Sequence, residues 1–435
     1  MAKAEAMEEA AEGAPVERPA QAGSAERLWT PVFLLIIAAT LGAYMVGQGT
    51  NAGTSVYLDI RGESATLAGI GAAIFSIAGA VSRLVCAPFI DNRGRVAVMI
   101  AGSFFLIAGT LGPTFLTSMK LFWLWRLLQG VGFATVTTAS ATAAADVLPA
   151  SRLGEGIGYY GLGQAISMSI GPALALALVA TDPAENLFLG LCAAAVMGLV
   201  FSLLCRYEKD PSRLPATSEY RRRHEQGLDR QQSAKITSVR QLVEPKAIPG
   251  TIPMMVLSPA FGFGIYFAGL LGTTLGVGNA GLYYTLSAVA MIAVRLKSGA
   301  FMDTVAPIKL MTFAVASGLA CFSMLFGASL QILPADINGL LFYAAGIPYG
   351  LCLGVALPVN QTVAVKNSPS ERWGAASALF LLAIDVGIGL ACIAWGVVND
   401  TLGFTATLAC VIVIVALSLV AAWIFYPAHD KRWRR

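Results

Sequence analysis

Charge is what this chain has least of. Only 12% of its 435 residues are charged, about half the share of a soluble domain, which excludes an ordinary soluble globular protein. Histidine is scarcer still. His224 and His429 both lie outside the apolar runs, so a proton relay inside those runs has only carboxylates, tyrosines and water to work with. The seven cysteines (Cys86, Cys192, Cys205, Cys321, Cys352, Cys392 and Cys410) are scattered with no CxxC spacing. That leaves neither a disulfide framework nor a metal site, and no cofactor is expected. A G-x-x-x-x-G-K-[ST] stretch is missing, which argues against an ATP-driven pump. No cluster of His, Asp or Ser offers the chemistry of an embedded enzyme, and nucleic acid is not an expected partner. Residues 1–28 are rich in Ala and Glu and lack an apolar h-region; they are expected to form a disordered cytoplasmic tail, not a signal peptide.

What the chain does have is apolar sequence. It is 56% hydrophobic with a mean hydropathy of +0.69. A membrane-spanning helix needs about 20 apolar residues, and twelve runs qualify: 31–54, 65–89, 96–118, 121–147, 154–180, 186–205, 249–272, 280–302, 307–330, 338–365, 374–398 and 405–425. Turn-like punctuation between them favours helices over barrel strands. The basic residues are sorted by side. The even-numbered links and both tails, with Lys309 at the edge of the ninth run, hold 23 of the 29 Lys and Arg, and the odd-numbered links hold Arg61 and Lys120. The positive-inside rule then predicts both termini and the central loop in the cytoplasm.

The sequence also repeats. Arg83 precedes Asp91 by eight residues and Arg295 precedes Asp303 by eight, at an offset of 212. Gly42 to Gly47 returns as Gly264 to Gly269, and Pro149 to Gly154 returns as Pro369 to Gly374, at offsets of 222 and 220. The predicted fold is an all-α membrane protein with twelve transmembrane helices in two six-helix pseudo-repeats, both starting on the same side. Its domains are a tail (1–28), a first bundle (29–205), a basic linker (206–248), a second bundle (249–426) and a basic tail (427–435). Between Arg206 and Lys246 lie ten basic and six acidic residues. A solvated linker and a lipid-headgroup anchor both fit this stretch.

Several motifs carry a family resemblance. Ala87 to Arg95 (APFIDNRGR) resembles the G-x-x-x-D-x-x-G-R loop of the major facilitator superfamily, with Ala87 replacing the first Gly. The second copy keeps Gly299 and Asp303 but loses the terminal Gly-Arg. Arg126 to Gly130 resembles the family's R-x-x-Q-G motif. Gly163 through Gly171-Pro172 resembles its antiporter motif, with Ala175 and Ala177 where glycines are usual. The resemblance implies a twelve-helix, proton-coupled, efflux-like transporter. It implies helices 1, 4, 7 and 10 around a central cavity, and Asp91 and Asp303 against the starts of helices 11 and 5. Gly94 would form the tight turn, and Arg95 would pair with Asp146. With Arg152 and Arg372, these residues would make a cytoplasmic latch on the outward-open state; a loop that merely guides helix folding is the alternative.

Charges inside apolar spans are functional candidates, because each is costly at the centre. Asp385 lies about 16 Å into helix 11. Its apolar neighbours disfavour the ionised form, which suits a proton carrier. Arg83 and Arg295 lie about 12 Å deep, and either is a candidate partner. An Arg83–Asp385 pair would cross between the halves and break as they rock; an Arg295–Asp385 pair would be a static neutraliser. Polar stripes mark the cavity helices: Tyr44, Gln48 and Asn51; Arg126, Gln129 and Thr137; Tyr266; Tyr349 and Asn360. Arg126 suits either an anionic substrate group or electrostatic coupling to protons. The sequence thus predicts a multi-pass protein of the plasma membrane, moving a small molecule by alternating access. Proton-coupled export is the expectation, with proton-coupled import and a non-transporting sensor as alternatives. One chain supplies both halves, so a monomer suffices.

Overall fold

Helix formation here follows from where the backbone must satisfy its own hydrogen bonds. The computed structural model describes residues 27–115, 118–225, 244–369 and 372–426, without the side chains at 87, 88, 91, 92, 150, 154, 213, 219, 223, 297–304, 373 and 374. Among the described residues there are helices and no strands. The principal helices are α1 (Pro31–Ile60), α2 (Ala65–Arg93), α3 (Arg95–Phe115), α4 (Met119–Val147), α5 (Leu153–Val179), α6 (Asn186–Leu204), α7 (248–274), α8 (Gly281–Thr304), α9 (Pro307–Ser329), α10 (Ala335–Lys366), α11 (373–402) and α12 (404–425). All twelve expected spans are present.

Local signals set the boundaries. Thr30 caps α1 through a 3.2 Å bond from Phe33 N, with Pro31 at the first helical position, where a missing N–H is harmless. Gly94 (φ +95°) is the entire turn between α2 and α3. Gly403 (φ +80°, ψ 176°) breaks α11 from α12 without a longer loop. These conformations favour glycine, which has no Cβ to clash. A π turn at Phe263–Phe267 interrupts α7. Nine described helical stretches are long and apolar enough to cross a membrane, with α11 and α12 counted together. The stretch of α4 carrying Arg126, Gln129 and its Thr-Ser stripe falls outside that set, as does α8, of which Gly281–Leu296 counts as a shorter apolar helix.

Within each half, small residues bring helices into backbone contact. Gly132 of α4 rests on Gly102 and Leu106 of α3, and Gly350 of α10 on the Ser287 carbonyl of α8; close approach of this kind drives helix association in lipid. The links carrying Arg95, Arg152, Lys309 and Arg372 gather at one end of the bundle, called the basic end; Arg61 and Lys120 mark the far end. Contacts between the halves run along α2–α11, α5–α8 and α1–α7. Several of those among the described residues lie towards the far end. There Ser55 Oγ donates to Tyr266 O at 2.6 Å, Ser169 Oγ donates to Tyr284 O at 3.0 Å, and Gly69 lies under the Cys392 carbonyl.

The first part of the linker departs from a solvated strand. Tyr207, Leu214 and Ser218 are buried, Tyr207 packs edge-on against Tyr220 at 5.2 Å, and a short helix follows at Glu219–Glu225. Its apolar residues join the cluster around Leu148 and Cys205, because two aromatic rings and a leucine bury more favourably than they hydrate. Residues 1–26, 226–243 and 427–435 lie outside the described residues.

Candidate functional site

Two buried-charge constellations occupy the interior at different depths. The one nearer the basic end joins α2 to α11. Arg83 Nε donates to Asp385 Oδ2 at 3.2 Å, and the side chains remain 18% and 24% exposed. A second guanidinium nitrogen of Arg83 reaches Thr138 Oγ1 at 3.1 Å and Thr137 Oγ1 at 3.4 Å on α4. Of the two partners left open for Asp385, the geometry therefore takes Arg83. Arg295 instead donates to the Gly161 carbonyl of α5 at 3.2 Å. Tyr44 lies in the field of all three charges, edge-on to Phe133 at 5.2 Å.

Nearer the far end, Arg126 is 1% exposed. Its guanidinium donates to Gly71 O at 3.2 Å, Gln129 Oε1 at 2.6 Å and Asn51 Oδ1 at 2.8 Å, and stands over the Phe75 ring at 4.8 Å. Gln129 donates onward to Gly109 O of α3 at 3.0 Å. Four helices of the first half are tied by this network, and Tyr266 of the second half closes over it through contacts with Arg126 and a 3.4 Å bond to Ser76. Gln48 and Tyr349 line a small central cavity of about 20 Å³ with Met168, Tyr284 and Ser287, room for roughly one water. Thr137 bonds its own α4 backbone at Phe133 O, 2.8 Å away. Asn360 does not join this group. It accepts from Tyr426 at 2.9 Å and contacts Met311, on the side of α10 facing α9 and α12. Equal steps along an ideal helix put it beneath Tyr349, but Pro358 interrupts the ladder between them.

At the basic end, Arg95 Nε donates to Asp146 Oδ2 at 2.7 Å, the pairing the loop motif implies. Gly94 lies against the Glu208 carboxylate, which accepts from Arg95 N at 2.5 Å. Burial raises the Glu208 carboxyl above its ordinary range, offset by the backbone N–H groups of Arg95 and Val96. Arg152 pairs locally with Glu155, and Arg372 pairs with buried Glu244. The side chains of Asp91 and Asp303 lie outside the described residues. Glu208, Glu244 and Asp400 are participants that the sequence did not reveal. Each meets a partner distant in the chain, and an isolated acid in a link carries no pattern. Among the described residues no group of three His, Cys, Asp or Glu is placed to hold a metal.

Two packed helical halves, joined by an ion pair at Arg83–Asp385, are the architecture of a membrane transport protein. The sequence profile of the Major Facilitator Superfamily matches residues 30–343, and the chain belongs to that family. It is a multi-pass membrane protein and a transporter of that class. It is 22% identical over 367 residues to the staphylopine export protein of Staphylococcus aureus (strain Mu50 / ATCC 700699), covering 81% of this chain and 87% of that one. Its fold is that of a D-xylose-proton symporter (TM-score 0.68, 16% identity, 92% and 98% of the two chains). The nucleoside transporter NupG shares it as well (TM-score 0.66, 12% identity, 91% and 98% covered).

Proposed function

We propose that this protein exports a small amphipathic molecule in exchange for protons, with Asp385 as the proton carrier and Arg83 as its switchable partner. The observation that carries this reading is the 3.2 Å ion pair joining α2 to α11 across the two halves. An exposed ion pair contributes little, but one deep in a bundle must be kept or broken as a unit. Protonation of Asp385 removes the attraction, and the Thr137 and Thr138 hydroxyls in its own half remain to hold the released Arg83. The halves are then free to rock. Relatedness to an exporter favours efflux. The symporter fold favours the second reading, import with a proton. The basic end faces the cytoplasm of the plasma membrane by the charge rule, and a monomer suffices.

Inside-out vesicles with an imposed pH gradient test this directly. Compounds of differing charge are added in turn to vesicles carrying wild type or Asp385→Asn. Collapse of the gradient by one compound in wild type, and not in the variant, supports export through Asp385. Accumulation of a metabolite by whole cells, with no gradient collapse in vesicles, favours import. Equal collapse in both vesicle types removes Asp385 from the coupling.

A further inference from the structure

The first N–H groups of any helix lack partners within it and must find acceptors elsewhere. In α2 those acceptors come from the other half of the molecule. Asp400, at the end of α11, accepts from Ala65 N at 2.9 Å through Oδ1 and from Thr66 N at 2.8 Å through Oδ2. The local cap, Ser64 Oγ, takes only Leu67 N at 3.3 Å. Below this contact the two helices run backbone to backbone, Gly396 against Ala65 and Gly69 against Cys392. Above it lies an open cavity of about 450 Å³ lined by Ser64, Glu63, Asn399 and Asp400. Water there can replace the carboxylate as acceptor, so the contact is breakable without stranding a backbone group.

We infer that Asp400 is a positioning residue of the transport cycle, whose carboxylate holds the far end shut by capping α2 from the opposite half. The far end opens when α2 and α11 part and the cap passes to water. It is a charged bond, whereas the seals at Ser55–Tyr266 and Ser169–Tyr284 are neutral side chain to backbone bonds. A charged acceptor at a helix N-terminus gains from the aligned peptide dipoles, and this gain is confined to the closed state. The term "transport cycle" rests on the function proposed above; the cap does not.

Cys392 supplies a native reporter. It is fully buried in this seam, against Gly69 of α2 and Gly262 of α7, and opening of the far end uncovers it. Intact cells carrying the full chain are treated with a membrane-impermeant maleimide, and the rate of Cys392 alkylation is followed by peptide mass spectrometry. Asp400→Ala should raise this rate about fivefold, equivalent to about 1 kcal/mol at 1.4 kcal/mol per tenfold, and Asp400→Glu should restore much of the wild-type protection. Cys192 and Cys86, buried within the first half, should stay protected. A Cys392 rate unchanged in both intact cells and inside-out vesicles overturns the proposal, and so does a parallel rise at Cys192 and Cys86, which would mean general loosening. The measurement needs neither substrate nor protons, so it stands or falls apart from Asp385. A rise confined to inside-out vesicles supports the cap and overturns the assigned orientation.

Discussion

Asp385 and Arg126 are both charges inside a bundle, and the structure accommodates them in opposite ways. Asp385 has a charged partner in the other half and stays partly open. Arg126 has neutral partners, acceptors of its own half with Tyr266 of the other half closing over them, and is sealed. The first arrangement is suited to a switch and the second to a brace. Arg126→Ala should therefore lower stability, by about 1–3 kcal/mol for each buried partner left unsatisfied, read as a reduced Tm in detergent. Arg126→Lys should lose less. An unchanged Tm in the alanine variant would remove the brace. Glu208 gives a pH signature. Its folded value is raised by burial, so the folded state binds the proton more readily than the unfolded chain. The sign follows from linkage: stability falls as pH rises from the ordinary carboxylate value through the raised one. Thermal melts of wild type should show that fall, and Glu208→Gln should flatten it; an identical profile in the variant contradicts the assignment. At this scale the sequence was legible where depth alone marks a residue, as for Asp385 and Arg83. It was not legible where the partner lies far along the chain. Glu208 and Asp400 look like any acids in links, and the eleven-residue spacing of Tyr349 and Asn360 took no account of Pro358.

Among the elements, α2 and α11 carry most of the contact between the halves. A Cβ on Gly69 would overlap the Cys392 carbonyl, and one on Gly396 would overlap Ala65. Gly69→Ala should pry this seam apart at the far end and raise Cys392 alkylation above wild type, with Cys192 still protected. If alkylation does not change, the seam is not a closed contact. Gly403 separates α11 from α12 in a conformation open essentially to glycine alone, so Gly403→Ala should destabilise by about 1–3 kcal/mol, again read as a Tm shift. Helix number and most boundaries could be read from apolar run length and from caps such as Thr30. The first apolar run thins at 54, whereas the helix continues to Ile60. Helices outlast their apolar runs because backbone hydrogen bonding does not stop where side chains turn polar. The docking of Tyr207 and Leu214 escaped notice because charge dominates the linker's composition and hides two buried anchors.

The whole molecule is a duplicated bundle whose halves meet in described seals at the far end. Its two halves were visible as repeated spacings of Arg and Asp and of glycine-rich segments; the contacts that close the far end were not, since they join residues far apart in the chain. Asp400, Gly69 and Ser55 hold the halves together at the far end, with the ion pair at Arg83–Asp385 further in. The central claim is that Asp385 couples this seam to protons, and the most direct measurement separates substrate movement from proton movement. Substrate exchange at equal concentrations across the membrane requires rocking without net proton transfer, whereas collapse of a pH gradient requires both. Reconstituted wild type should do both. Asp385→Asn should retain exchange within about threefold and lose at least about tenfold in gradient collapse, the equivalent of some 1.4 kcal/mol. An Asp385→Asn protein that still moves protons at the wild-type rate would contradict the account.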